Sequence, residues 1–402
     1  MSNHTVVLAF SGGLDTSFCV QYLTREKNLE VHALTINTGG FNDQDAQKLE
    51  ERALGLGAKS FQMVDAVEQY YQDCLRFLIY GTVLRNNTYP LSVSAERMFQ
   101  ALETVKFARA IGANAVAHGS TGAGNDQVRF DIVFQILAPE LEIITPIRDL
   151  RLSRQEEIAY LQKNGIHWNW EKAKYSINQG LWGTSVGGAE TLTSHLPLPE
   201  EAYPSQLMQV EPITVTLGFE KGELIKIDGH LFARPTDAIR HLQKLAAPFA
   251  IGRDIHVGDT IIGIKGRVGF EAAAPLIILK AHHLLEKHTL SKWQQYWKEQ
   301  LANWYGMLLH EGQFLEPVMR NIETFLVDSQ QSVTGTVHAK LLPYRFELQG
   351  IESPYDLMNS SFGQYGEMNK AWSGDDVKGF TKILANQSKI YQAVHQNAKD
   401  ND

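Results

Sequence analysis

One short loop near the N-terminus constrains the fold of this chain more than any other part of the sequence. It runs Ser11-Gly12-Gly13-Leu14-Asp15-Thr16-Ser17, directly after a strand-length apolar run at residues 6–10 and at the start of a segment with helical spacing. Two glycines let the backbone turn sharply and approach a ligand closely, and the N-terminus of a helix offers unpaired N–H groups to an anion. The loop therefore predicts a phosphate site, and the alternative is a tight turn with a Ser/Asp cap.

Asp15 adds a carboxylate beside the predicted phosphate, which makes chemical sense if a Mg²⁺ ion lies between the two negative groups. The loop is not a Walker sequence, because GxxxxGK[ST] occurs nowhere in the chain, and it lacks the GxGxxG pattern of dinucleotide-binding folds. The sequence thus favours a phosphate-binding loop of another class.

The order of apolar runs predicts an α/β fold. Strand-like runs alternate with amphipathic segments up to about residue 165, and one of the helices opens with a capping box at Ser153 to Glu156. Such alternation is typical of βαβ units and predicts an N-terminal doubly wound parallel sheet over residues 1–168.

A different pattern follows after about residue 170. Gly-rich and Pro-rich stretches, turn-bounded strands and a long amphipathic helix near residues 291–308 predict a second, α+β domain over residues 169–365. A final helix is predicted within residues 366–402, with a partial apolar stripe between Ile383 and Val394. A terminal helix of this kind needs a surface to pack on, and we expect it to reach a neighbouring subunit; the alternative is that it packs on its own subunit.

Composition excludes several classes of protein. The formal charge is −8, from 45 acidic and 37 basic residues among 402, whereas a nucleic-acid-binding protein usually has a basic balance. No apolar run approaches the ~18 residues of a membrane span, and the N-terminus resembles no secretion signal. Cys19 and Cys74 are too few for a disulfide framework, so we expect a cytoplasmic protein.

Two further segments carry chemistry. Residues 118–130, HGSTGAGNDQVRF, begin where the fourth predicted strand ends, at the edge of an open α/β sheet where ligands bind. Residues 88–97, TYPLSVSAER, combine Tyr89 with several hydroxyl side chains. The structural alternatives are a long surface loop for the first segment and a helix start for the second.

The loop at residues 10–17 resembles the SGGxD[ST] loop of the N-type ATP pyrophosphatases, which holds the β,γ-pyrophosphate of ATP. Together with residues 88–97 and 118–130, it resembles the argininosuccinate synthase family, whose patterns are AxSGGLDTS, YPLxTSxxR and HGxTGKGNDQVRF. Matching residues continue at 175–183, YSINQGLWG, at 352–354 and at 379–380, so the resemblance runs through nearly the whole chain in the same order.

The resemblance implies an adenine nucleotide alpha-hydrolase-like N-terminal domain, a synthetase domain and a C-terminal oligomerisation helix of a homotetramer. It implies a ligase of arginine biosynthesis: ATP, with Mg²⁺, adenylates the ureido oxygen of citrulline, pyrophosphate leaves, and the amine of aspartate then displaces AMP to form argininosuccinate. The residues implied for ATP are Ala9, Phe10, Ser11, Gly12, Gly13, Leu14, Asp15, Thr16, Ser17, Ile36 and Gly119, with Asp15 also a metal ligand. Those implied for aspartate are Thr121, Asn125 and Asp126. Those implied for citrulline are Tyr89, Ser94, Asn125, Arg129, Ser176 and Ser185.

The sequence departs from the family pattern at several positions. The replacements are Ala123 for Lys, Val93 for Thr, Asn178 for Asp, Gly180 for Asn, Gly258 for Glu and Phe270 for Tyr. Gly258 and Phe270 both concern citrulline recognition. They leave two alternatives: Asp259 replaces the missing carboxylate, or the substrate is an N-acylated citrulline without an α-ammonium.

Two other functions are compatible with the sequence. One is another pyrophosphatase-loop ligase or a tRNA-modifying enzyme, which the acidic balance and the lack of a Cys-x-x-Cys pair disfavour. The other is a non-catalytic nucleotide-binding protein of the same fold, which would not require Asp15 or the run at residues 125–127.

Overall fold

The computed structural model describes residues 4–168, 175–359, 363, 365–367 and 371–399. The chain divides into a compact unit of Met1–Pro354 and a second unit of Tyr355–Asp402. Among the described residues, no helix is both long enough and apolar enough to cross a membrane.

The first part of the larger unit alternates strands and helices, as the sequence predicts. The strands are β1 Thr5–Ala9, β2 Glu30–Asn37, β3 Ser60–Asp65, β4 Ala115–His118 and β5 Glu142–Ile144. The helices are α1 Leu14–Arg25, α2 Asp43–Gly55, α3 Val67–Tyr70, α4 Arg76–Gly81, α5 Ser92–Ala110, α6 Asp126–Leu137, α7 Pro146–Leu150 and α8 Arg154–Lys163, with a π-helical turn at Tyr71–Leu75.

The strands β1 to β5 form one parallel sheet in the order β3-β2-β1-β4-β5. Its central strand β1 is apolar and buried because helices cover both faces, as all-parallel sheets require. The order reverses between β1 and β4, so the loops that follow these two strands open side by side at a topological switch point. The predicted doubly wound sheet is confirmed.

Local capping explains where two of these helices begin. Asn42 accepts hydrogen bonds from the N–H groups of Gln44 and Asp45 at the start of α2. Ser153 and Glu156 form the predicted capping box at the start of α8, since each side chain accepts from the backbone N–H of the other.

The remainder of the larger unit is antiparallel and helical, which confirms the α+β prediction. The strands are β6 Ser176–Gly180, β7 Gly183–Gly187, β8 Ile213–Glu220, β9 Glu223–Ile227, β10 His230–Leu231, β11 Arg253–Asp259, β12 Lys265–Glu271, β13 Gly335–Leu342 and β14 Arg345–Glu352. The helices are α9 Pro235–Ala246, α10 Ala273–Thr289, α11 Lys292–His310 and α12 Pro317–Ser329. The strands pair in the orders β11-β12-β7-β6 and β10-β9-β8-β13-β14.

One apolar core joins both parts of the larger unit. It contains Val7 of the parallel sheet and Phe99 of α5 together with Ile277 of α10 and Val337 of β13. Because these side chains share one core, the parallel sheet and the antiparallel sheets are held as a single packed structure.

The turn between β6 and β7 packs against the end of β2. The N–H of Leu181 donates to the carbonyl oxygen of Thr38 at 3.0 Å. A Cβ at Gly40 would lie 2.0 Å from the carbonyl oxygen of Gln179, so only glycine allows this close approach. The hairpin is thereby fixed over the carboxyl edge of the parallel sheet.

The smaller unit ends in α13 Gly374–Leu384 and α14 Asn386–Lys399. The predicted terminal helix is confirmed in type, but it is two helices that meet at Ala385, whose conformation still lies in the helical region. Their apolar side chains are exposed within this chain: Phe380, Ile383, Leu384, Ile390, Tyr391 and Val394.

Candidate active site

The loop between β1 and α1 has the geometry of an anion cradle. Gly12 has φ +73°, and a Cβ there would lie 2.3 Å from the side chain of Leu49, so this position requires glycine. The N–H of Gly13 lies 3.4 Å from Ser11 Oγ, which is 3.2 Å from Thr16 Oγ1. Hydroxyls and helix N–H groups are therefore gathered at one point, where the helix dipole favours negative charge.

The loop after β4 lies directly beside this cradle. A Cβ on Gly119 would lie 3.2 Å from the Cγ2 of Thr16 and 3.3 Å from its backbone nitrogen. On the other side, the hydroxyl of Thr35 donates to the carbonyl oxygen of Phe10 at 2.6 Å, one residue before Ile36. The structure thus brings together the loop, Ile36 and Gly119, which the sequence predicted as parts of one nucleotide site.

A second carboxylate accompanies Asp15, and the sequence reasoning missed it. Glu157 lies in the first turn of α8, is close enough to Asp15 for each carboxyl group to shift the pKa of the other, and has an Oε2 atom that is buried without a hydrogen-bond partner. Burial raises the pKa of Asp15; burial and the charge of Asp15 raise the pKa of Glu157 to about 8. Only the capping box at Ser153 marked this helix start in the sequence.

These residues suit a hard divalent cation. Two desolvated carboxylates repel each other when ionised, and a Mg²⁺ ion would relieve that repulsion. The described part of the chain contains no complete cluster of three His, Cys, Asp or Glu ligands, so phosphate oxygens would have to complete the coordination shell.

Asp126 lies at the start of α6 between two arginines. Its carboxylate accepts from Arg97 Nε at 2.9 Å and from Arg129 Nη1 at 2.9 Å. Although burial alone would raise it, these two guanidinium groups lower the pKa of Asp126. Arg97 also donates to Asn178 Oδ1 at 2.8 Å, which connects Asp126 to β6. Asp126 is therefore held as a carboxylate.

The rest of the loop after β4 is tied down by its neighbours. Asn125 Oδ1 accepts from the N–H of Ile261 at 2.7 Å, whereas Thr121 and Ala123 are exposed. Arg148 lies close by and pairs with Asp131 at 2.6 Å. The predicted loop residues are brought together, and an arginine lies near the position where the family pattern has a Lys in place of Ala123.

Arg129 and Ser94 meet at a histidine that the sequence reasoning missed. Arg129 Nη2 donates to the carbonyl oxygen of His310 at 3.0 Å, and Ser94 Oγ lies 3.5 Å from His310 Nδ1. His310 Nε2 lies 3.2 Å from the carbonyl oxygen of Asp259, and because a carbonyl can only accept, Nε2 carries the proton. Burial, with the charge of Arg129 nearby, lowers the pKa of His310 to about 4. This histidine is therefore neutral at physiological pH.

The β11-β12-β7-β6 sheet supplies the opposite wall. Ser185 is paired with Asn178 on one side and with Phe270 on the other, so these three side chains form one row, and Ser176 lies on the same face of β6. The ring of Tyr89 lies 5.3 Å from the ring of Phe270. Of the residues predicted for citrulline, Tyr89, Ser176 and Ser185 therefore lie on or against this sheet, whereas Arg129 and Ser94 meet at His310.

The position of Gly258 is filled by a neighbour. A Cβ there would lie 2.6 Å from His256 Nε2, and the His256 ring stacks on Tyr89 at 5.3 Å. Asp259, the predicted substitute carboxylate, is exposed and its Oδ1 accepts from Lys265 Nζ at 2.5 Å. The imidazole of His256 therefore occupies the volume beside Gly258, and the carboxylate of Asp259 is engaged by Lys265.

Comparison with known proteins agrees with this geometry. Residues 5–167 match the model of the arginosuccinate synthase N-terminal HUP domain, and residues 175–391 match the arginosuccinate synthase C-terminal domain. A relative from Dictyoglomus turgidum is 35% identical over 393 residues, which is 97% of this chain and 98% of the relative. One from Xylella fastidiosa is 34% identical over 411 residues, 99% of this chain and 100% of the relative. One from Methanocaldococcus jannaschii is 34% identical over 389 residues, which is 96% of this chain and 97% of the relative. Each of these relatives bears the name argininosuccinate synthase.

Proposed function

This chain belongs to the argininosuccinate synthase family, and from that premise we infer that it is an ATP-dependent ligase that joins citrulline to aspartate. The observation that supports this inference is the network in which Arg97 binds both Asp126 and Asn178, because it joins the loop after β4 to the β6–β7 hairpin at the carboxyl edge of the parallel sheet. Family membership sets aside the tRNA-modifying and non-catalytic alternatives.

The nucleotide would lie on the loop between β1 and α1. Backbone N–H groups of the cradle and the hydroxyls of Ser11 and Thr16 would bind the β,γ-phosphates, with Gly119 admitting the α-phosphate. Asp15 and Glu157 would hold a Mg²⁺ ion, which neutralises phosphate charge when bound. The chain's own contribution is to place the α-phosphate beside the ureido oxygen of citrulline.

Aspartate would bind at Thr121, Asn125 and Asp126. Citrulline would lie between Arg129, Tyr89 and Ser94 on one side and Ser176 and Ser185 on the other. Arg129 is already anchored by His310 and Asp126, so its guanidinium is fixed to receive a carboxylate. Positioning and charge neutralisation, more than acid–base chemistry, would supply most of the rate.

The assay is pyrophosphate release from ATP by the purified protein, with argininosuccinate identified by mass spectrometry. We expect release to require both citrulline and aspartate. Release that proceeds without either amino acid, or a product other than argininosuccinate, would contradict the assignment.

A second candidate substrate is an N-acylated citrulline. Gly258 stands where the family pattern has a Glu. Loss of a buried hydrogen bond to the charged α-ammonium of citrulline would weaken binding by about 1.5–3 kcal/mol. Arg85 Nε is buried without a hydrogen-bond partner near this position, and a guanidinium can only donate, so it would repel an ammonium and could bind an acyl carbonyl oxygen. Such a pocket suits a neutral amide better than an ammonium.

The two substrates are separated by kcat/KM for citrulline, N-acetylcitrulline and N-succinylcitrulline at saturating ATP and aspartate. Preference for an acylated form makes the product an N-acylated argininosuccinate. Preference for citrulline by ~100-fold, erased by Asp259→Ala, would show that Asp259 leaves Lys265 and replaces the missing Glu. Asp237→Ala, at a partly exposed aspartate that pairs with Arg234 at the start of α9, is the matched control.

We further propose a cytoplasmic homotetramer in which α13 and α14 pack on a neighbouring subunit. Support comes from the exposed apolar side chains of these helices, such as Phe380 and Ile383, which are 63% and 72% exposed within this chain. Light scattering on a chain truncated after Gly379 tests this assembly. We expect the truncated chain to have a lower mass, and an unchanged tetramer would exclude these helices as the tether.

A further inference from the structure

Glu96 is a buried carboxylate that the predicted site does not include. It lies in the first turns of α5, is 2% exposed, and its Oε1 atom is buried without a hydrogen-bond partner. A Cβ on Gly180 would lie 1.5 Å from that Oε1. The carboxylate of Glu96 therefore occupies the volume of a side chain at position 180, where the family pattern has Asn.

The register of the sheet shows which end of the site this is. Gly180 lies on the face of β6 that also carries Asn178, two residues away. Following the strand pairs across the sheet, Gly258 is displaced from the level of Gly180 by six residues along the strand direction. At ~3.3 Å per residue this displacement is roughly 20 Å. Glu96 is thus remote from the amino-acid end of citrulline.

The same end of the sheet faces the nucleotide loops and Asp126. The hairpin turn beyond Gly180 packs on the end of β2, and Arg97, the neighbour of Glu96, binds both Asn178 and Asp126. Glu96 therefore lies beside the groups that would hold aspartate, next to the edge of the sheet where ATP would bind.

The second half of the reaction needs a proton acceptor at this place. Aspartate binds as an ammonium, and an ammonium has no lone pair with which to attack the adenylated carbon. Asp126 is a poor acceptor, because two arginines engage its carboxylate and lower its pKa. Glu96 has a free oxygen, and burial raises the pKa of Glu96 to about 8, within the range of an effective general base.

We propose that Glu96 is the general base that removes a proton from the α-ammonium of the attacking aspartate. This rests on the proposed ligase function. The proton moves from nitrogen to a Glu96 oxygen, and the freed electron pair forms the new C–N bond. The C–O bond to AMP then breaks, and AMP leaves with its electron pair. The departing phosphate takes the second N–H proton, so the product retains a single guanidinium charge.

The groups that face Glu96 are consistent with this role. Arg97 on α5 is the adjacent cation, Asp126 on α6 is the adjacent anion, and the phenols of Tyr89 and Tyr70 lie close enough to be affected by its charge. An arriving ammonium would be the partner that Glu96 Oε1 lacks, and its charge would favour the ionised carboxylate until the proton is transferred.

The test is Glu96→Gln, which keeps the shape of the side chain and removes the base. We expect argininosuccinate formation to fall by roughly 100-fold at pH 7.5, while citrulline-dependent exchange of pyrophosphate into ATP continues. The deficit is expected to shrink as pH rises, because more free amine is present. Hydroxylamine, a neutral nucleophile at this pH, is expected to consume the adenylate equally well in both proteins.

The matched control is Glu103→Gln, two turns along the same helix, where the carboxylate pairs with Lys106. Equal loss of exchange and synthesis in Glu96→Gln would assign Glu96 a packing role and overturn the proposal, as would no loss at all. If Glu96→Gln does not fold, the proposal is tested on the wild-type protein instead. The measurement is the single-turnover rate at which aspartate consumes the adenylate. A rate that does not change between pH 6 and 9 overturns the proposal. Wild-type protein without citrulline-dependent exchange would instead refute the ligase function.

Discussion

The two ends of the active site are built in different ways. The nucleotide end consists of two short loops at the ends of β1 and β4. The hydrogen bonds within its first loop join residues only a few positions apart, such as Ser11 and Thr16, and the bond from Thr35 to Phe10 spans 25 positions. The amino-acid end combines side chains from α5, α6, α11, β6, β7 and β12, and its bonds span up to 216 positions, as between Ser94 and His310.

The same contrast appears in how closely each end follows the family pattern. The nucleotide loop matches it at every position from Ser11 to Ser17, whereas Gly180, Gly258 and Phe270 replace polar side chains near the amino acids. A loop that binds the same phosphates has little room for change, because its backbone makes the contacts. A wall made of separate side chains can change one member at a time, and the vacated volume is filled from nearby, as Glu96 and His256 do here.

The largest effect is expected at the nucleotide end. Asp15→Ala removes the carboxylate that would bind Mg²⁺ beside the phosphates, and we expect ATP turnover to fall by at least about 1,000-fold, or ~4 kcal/mol of transition-state stabilisation. Pyrophosphate release measures the loss. Asp43→Ala, at the exposed start of α2, is the control, and thermal unfolding should be unchanged in both variants. Turnover near the wild-type rate would end the nucleotide assignment.

Gly258→Glu tests whether the amino-acid end has truly been rebuilt. The new Cβ would lie 2.6 Å from His256 Nε2, so the ring must move off Tyr89, and we expect kcat/KM for the ureido substrate to fall by roughly 10- to 100-fold. The KM for ATP should not change. The double variant with His256→Ala should recover use of free citrulline. Improved citrulline use in the single variant would show that the family pocket persists unaltered.

A change in pH should also affect the amino-acid end, through His310. Its pKa is lowered from 6.5 to about 4, so between these values the unfolded chain binds a proton and the native chain does not. Stability is therefore lost as pH falls from 6.5 towards 4, by about 1–3 kcal/mol for this residue. Urea unfolding at pH 7 and pH 4 should show a smaller loss in His310→Gln than in wild type. His282 also has a pKa lowered to about 4, and its contribution to the loss of stability is the same in both proteins. An equal loss of stability in wild type and His310→Gln would show that the His310 prediction is wrong.

Phe270→Tyr should have the smallest effect. The variant restores a hydroxyl of the family pattern at a side chain that is 1% exposed and packs on Tyr89. If free citrulline is the substrate, its KM should fall by no more than about tenfold, the value of one hydrogen bond. If an acylated citrulline is the substrate, the new hydroxyl at position 270 has no hydrogen-bond partner. The midpoint of thermal unfolding of the variant should then fall, while the KM for the acylated substrate stays constant.

The fold was largely predictable because alternation of apolar runs is a local signal. The strand order around β1 and the capping box at Ser153 follow from neighbouring residues. Glu157 and His310 escaped prediction because each reaches the site through the packing of a distant helix, and no spacing in the sequence records that packing. Glu96 lies within the segment 88–97, but its place beside Gly180 depends on how β6 packs against α5.

The terminal helix shows a smaller limit. Its apolar stripe from Ile383 to Val394 indicated one helix within residues 366–402, but no glycine or proline marked the interruption at Ala385. The domain limits at residues 168 and 365 and the individual substrate contacts stay predictions.

The contact between the β6–β7 turn and the end of β2 has a consequence for how such a chain can evolve. Leu181 bonds to Thr38, and the carbonyl oxygen of Gln179 lies too close to Gly40 for any side chain at that position. Recombination between two relatives at the boundary near residue 170 would combine the end of β2 from one protein with the β6–β7 hairpin of another, so this contact would no longer be complementary. The apolar core, to which both halves contribute, would be mismatched as well. We therefore expect the two halves of the gene to be inherited together, although the boundary between them is easy to see in the sequence.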